Sequence, residues 1–171
     1  MATWGLLPWL MRWSHGTPME LRPAMCGALL SSPEAILLGA LNGVLVTALA
    51  VYVLGGVAFT TILVAQLLLL VVRLASQKRV ARIRAKGDVP PIDTSILLSM
   101  TWCALQGALL FFAMRSANPA IMVICTAHCM GLVGPLCARN YAAPRLALVL
   151  VSLCVGPLIL GANTIGEPLM L

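Results

Sequence analysis

Cys125, His128 and Cys129 are the residues whose types and spacing come nearest to ligand chemistry in this chain. At i, i+3 and i+4 they share one face of a helix. Thiolates beside an imidazole suit a soft metal or a haem iron. The same residues also pack as small apolar and hydrogen-bonding groups between helices. A metal would need a further ligand from another helix, and no residue identifies itself as that partner, so no cofactor is expected.

Three amides, Asn42, Gln66 and Gln106, are set deep in long apolar runs. An amide facing lipid is costly, so each is expected to face another helix or a cavity. No Asp or Glu lies in those runs, and a proton relay or cation pathway lacks its usual carboxylate. No Ser–His–Asp set, phosphate-cradling glycine loop or carboxylate pair occurs, and the chain has five acidic residues in all. General acid–base enzyme chemistry is not expected.

The elements that must position these residues are membrane spans. Apolar residues make up 61% of the chain and charged ones 9%, a balance that a water-soluble surface cannot carry. Residues 35–72 contain no Asp, Glu, Lys, Arg or His, and 94–114, 116–138 and 146–166 contain no Asp, Glu, Lys or Arg. A hydrocarbon core about 30 Å thick takes about 20 helical residues, so the first run holds two spans, divided at Gly55 and Gly56. The reading is an all-α bundle of five transmembrane helices at 35–54, 57–74, 95–114, 118–138 and 145–164. Uniformly apolar segments of this length exclude barrel strands, which alternate every second residue. The six cysteines are scattered, five of them in spans or at a span end, and form no disulfide framework.

The net charge of +6 is concentrated beside a span end: Arg73, Lys78, Arg79, Arg82, Arg84 and Lys86 are six of the eleven basic residues. Anionic lipid headgroups attract such a run, and it fixes topology. The expected partner is therefore the lipid bilayer and not nucleic acid. No helix breaker occurs before Gly87, so the second helix is expected to continue beyond the bilayer as a basic extension within 73–93. Pro90 and Pro91 end it, and Asp93, Thr94 and Ser95 cap the third span. Residues 1–33 form an arm whose Trp4, Trp9, Trp13 and Arg12 suit the headgroup layer, and 34–171 form the membrane domain. Ser31, Ser32 and Pro33 suit the first cap. Lys and Arg weight the arm, the 73–86 loop and the 139–145 loop, which places the N-terminus in the cytoplasm. Gly39 and Gly43 permit a close helix crossing, and Gly131, Gly134 and Pro135 suggest a kink.

One stretch resembles a known family. His128-Cys129-Met130-Gly131-Leu132-Val133-Gly134-Pro135-Leu136-Cys137-Ala138-Arg139-Asn140-Tyr141-Ala142-Ala143-Pro144-Arg145-Leu146 is similar to the N-terminal membrane region of bacterial diguanylate cyclases. That region carries a Gly-rich span end, then Arg-Asn, and Pro-Arg at the next helix. Ser32, Pro33, Glu34 and Ala35 resemble the opening of its first span, and the likeness covers about residues 25–171. It implies a sensor or anchor module of cyclic-di-GMP signalling in the bacterial inner membrane, with a homodimer as its expected assembly. Arg139, Asn140, Pro144 and Arg145 would form a structured cytoplasmic turn. The Gly-Gly-Asp-Glu-Phe signature of the cyclase is absent, so the resemblance does not bring enzyme activity with it. Five spans place the C-terminus outside, whereas a cytoplasmic output domain needs a sixth; residues 166–171 read as a turn entering one. A small transporter or channel subunit is the competing class, and it predicts a hydrated midplane cavity lined by Asn42, Gln66, Gln106 or His128.

Overall fold

The computed structural model describes residues 9–10, 33–86, 93–141 and 143–164. The remainder of the arm, including Trp4, Arg12, Trp13, Ser31 and Ser32, lies outside the described residues, as do Gly87, Pro90, Pro91, residues 166–171 and the Arg84 side chain. Helices α1 (Pro33–Leu54), α2 (Val57–Ala85), α3 (Asp93–Arg115), α4 (Pro119–Arg139) and α5 (Pro144–Asn163) follow one another in the chain. All five are long and apolar enough to cross a membrane, and the bundle of five spans read from the charge-free runs is the observed fold.

Their ends follow from local chemistry. Gly55 and Gly56 have φ of +65° and +87°, left-handed values that glycine adopts freely, and this pair turns α1 into α2 within two residues. At the same end of the bundle, Asn118 Oδ1 accepts from the Ala120 and Ile121 amides at 3.1 and 3.2 Å, and Pro119 takes the first helical position. Asp93 lies in the first turn of α3, where its carboxylate complements the helix dipole. At the opposite, basic end, the Asn140 amide and Asn140 Nδ2 both donate to Leu136 O and close α4. α2 has 29 residues, about 43 Å of helix, so it outruns a core of about 30 Å by roughly three turns. Lys78, Arg79 and Arg82 on this excess are exposed, as is Lys86 in the turn after it. α4 continues through Pro135 to Arg139 without a break in the helix.

α3 is the central helix and packs against all four others. In its most apolar 18-residue stretch 44% of the residues are buried inside the bundle, against 22% in that of each other helix. Its closest seam is with α5. Pro157 has no N–H, so the Leu153 carbonyl loses its helical donor. Gly107 fills that gap: a Cβ there would collide with Leu153 O and come within 2.9 Å of Pro157 Cγ. One end of the same seam is closed by Gly161, where a Cβ would lie 2.9 Å from Met114 Cβ and 3.0 Å from Phe111 O. Small residues thus let the two backbones approach closely. Leu38, Leu45, Tyr52, Leu68, Met130 and Leu148 face outward, the surface that lipid covers in a spanning bundle.

Candidate functional site

Two polar sets lie inside the bundle, one midway along the helices and one at the basic end. His128 is the hub of the first. Its Nδ1 is 3.0 Å from Asn42 Nδ2, and its Nε2 is 3.2 Å from Gln106 Oε1. A neutral imidazole has one donor and one acceptor, and the two amides supply the complements. The triad ties α1, α3 and α4 together. Gly43 makes room for it, because a Cβ there would collide with Gln106 Nε2 and lie 2.8 Å from Trp102 Cζ2. Gly39, its partner in the sequence motif, has nothing within 4 Å, so only one glycine of the pair serves a close crossing.

Gln66 is fully buried on α2 and meets Thr47 of α1 at 3.0 Å. Thr47 Oγ1 has one proton, and Gly43 O also lies within reach at 2.9 Å. The pair is best satisfied with that proton on Gly43 O and the Gln66 amide turned so that its NH2 donates to Thr47. This orientation also gives a partner to the Gln66 nitrogen that otherwise has none. Asn42, Gln66, Gln106 and His128 therefore contact partners on neighbouring helices, although Asn42 stays exposed at its outer edge.

Cys125 and Cys129 share the buried face of α4 with His128. Both ring nitrogens of His128 are already engaged. Among the described residues no group of three or more His, Cys, Asp or Glu could hold a metal ion.

The second set surrounds a cavity of about 180 Å³ at the basic end. Arg73 enters it from α2 and is 91% buried, since only 9% of its surface is exposed. Its Nη2 donates to Ser99 Oγ at 3.2 Å, and its guanidinium lies 5.7 Å from the centre of the Trp102 ring. Ser99 in turn donates to Ser95 O at 2.8 Å. Arg139 and Asn140 reach the same cavity from the end of α4, while Leu132, Leu136 and Leu150 form apolar wall. Arg73 thus differs from the rest of its basic run: Lys78, Arg79, Arg82 and Lys86 point to the surface, whereas Arg73 points into the bundle. It lies 16 residues after Val57, about 24 Å along the helix, which puts its side chain within the apolar slab near the basic face.

The α4–α5 turn divides its roles. Asn140 is buried and caps α4, and Arg139 reaches the cavity. Pro144 occupies the first position of α5. Arg145 donates to Trp9 O at 3.3 Å, with its guanidinium 5.0 Å from the Trp9 ring centre. It thereby holds part of the N-terminal arm against the bundle, and Leu10 beside it is buried.

Sequence reasoning missed Ser99 and Trp102 as partners of Arg73, and it missed Gly107 and Gly161 as the tight seam. A signal was present: Ser95, Ser99, Trp102 and Gln106 recur at helical spacing along α3 and mark one polar stripe. No family model matches this chain, and no curated protein or solved structure shows significant similarity to it.

Proposed function

We propose that this chain is a membrane-embedded sensor or anchor module of the cyclic-di-GMP signalling type; the 171 residues carry no Gly-Gly-Asp-Glu-Phe cyclase signature. The observation that favours it over a transporter is the fate of the midspan polar residues. Asn42, Gln106 and His128 bind one another and Gln66 binds Thr47, and none of the four lines the cavity. Alternating access needs polar groups free to hold a substrate near the midplane; here each of the four holds a partner on a neighbouring helix, although Gln106 Nε2 keeps no partner. A packed core joined by interhelical hydrogen bonds is also an element through which a signal can shift helix packing, provided a second arrangement is accessible to it.

The basic end then faces the cytoplasm, with Arg79, Arg82 and Lys86 at anionic headgroups, in a bacterial inner membrane. A homodimer through the outward apolar faces fits the anchor role. The test is reconstitution in liposomes loaded with potassium and a small anionic dye. The module should leave the barrier intact while its expression in cells changes the cyclic-di-GMP level set by a co-expressed cyclase. Solute-selective flux through the purified protein, with no effect on cyclic-di-GMP, would favour the transporter instead.

A further inference from the structure

We propose that the cavity at the basic end binds one anionic amphiphile, with its phosphate or carboxylate on Arg73 and its acyl chain along the apolar wall. A buried guanidinium within the apolar slab is costly unless an anion neutralises it. Among the described residues no carboxylate approaches Arg73; it donates to one serine hydroxyl, lies over one indole face, and shares the cavity with the Arg139 guanidinium. A guanidinium has five N–H donors, so one bond to Ser99 leaves most of its capacity for a ligand. Trp102 and Ser99 fix the planar group, which suits two-pronged recognition of a phosphate or carboxylate.

The cavity's size and walls select the rest of the ligand. At about 180 Å³ it exceeds the roughly 150 Å³ that holds benzene, so it accommodates a headgroup anion and the first carbons of a chain. Leu136 and Leu150 offer no polar contact to a hydrated inorganic ion, whereas an amphiphile's chain matches them. Gly39 also lines the space, and a Cβ added there meets nothing within 4 Å. A bilayer phospholipid and a free fatty acid both present this chemistry. The proposal rests on the membrane placement of the bundle and not on its signalling role, so an intact liposome barrier and lipid binding succeed or fail separately.

The test is native mass spectrometry and thermal melting of the full chain in an uncharged detergent. It is titrated in parallel with phosphatidylglycerol, palmitate, phosphatidylcholine and inorganic phosphate. The expected result is one saturable equivalent of phosphatidylglycerol or palmitate, with a rise in Tm of several degrees; the tighter of the two identifies the source. Arg73→Gln should weaken binding at least tenfold, and Arg115→Gln, which removes an equal charge from the far end, should leave it unchanged. Gly39→Leu keeps the charge and fills the space, so it too should weaken binding, and it decides the matter if Arg73→Gln fails to fold. No saturable binding of either anionic lipid overturns the proposal. So does full affinity in Gly39→Leu, or equal stabilisation by inorganic phosphate or phosphatidylcholine.

Discussion

His128 shows how much a single residue type says in advance. Its placement in an apolar run required a partner, but the sequence offered two cysteines on its own helix and amides on others, with nothing to choose between them. Three-dimensional packing chose Asn42 and Gln106, because α3 and α1 press against that face of α4 while Cys125 and Cys129 fit as buried apolar groups. Removing the imidazole strands Gln106 in the core. His128→Ala should therefore cost roughly 1–2 kcal/mol, the scale of interhelical hydrogen bonds in membranes, read as a lower melting temperature in detergent. A Cys125→Ala, Cys129→Ala double variant should cost less than His128→Ala, which a metal centre would not allow. Arg73 was legible as basic and close to a span end. That it turns inward was not, since its partners lie on another helix, at Ser99 and Trp102.

At the scale of the helices, the spans were the most legible feature, because the hydrocarbon slab demands uninterrupted apolar runs and charge marks their ends. Structure moved the boundaries by a few residues in most places and lengthened α2 to Ala85, as the absence of breakers before Gly87 suggested. Helix partners were less legible. The Gly39–Gly43 motif drew attention to α1, yet the tightest seam is α3 against α5, where Pro157 frees a carbonyl and Gly107 meets it. Complementarity of that kind involves two distant segments and leaves no mark in either alone. Gly107→Leu should separate the seam and destabilise the fold by about 1–3 kcal/mol or more, whereas Gly39→Ala should be neutral within about 0.5 kcal/mol. Parallel thermal melts of the two variants in one detergent check the contrast.

For the whole molecule, five crossings give two chemically distinct ends. One carries the glycine hairpin and the Ala117–Asn118 turn; the other carries the basic extension of α2, the cavity and the α4–α5 turn that holds Trp9. The basic extension and the cavity proposed to bind an anionic amphiphile both lie on the second end, so its orientation determines what they can meet: a cytoplasmic partner and the inner leaflet, or the exterior. The difference in Lys and Arg between the ends predicts the first. Cysteine accessibility measures it directly. In a background with Cys26 and Cys137 replaced by alanine, Ala117→Cys and Lys86→Cys are each exposed to a membrane-impermeant maleimide on intact cells. The expected result is labelling of Ala117→Cys at once and of Lys86→Cys only after permeabilisation. Labelling of both positions from the same side, or of Lys86→Cys alone in intact cells, would contradict the five-span module with a cytoplasmic basic end.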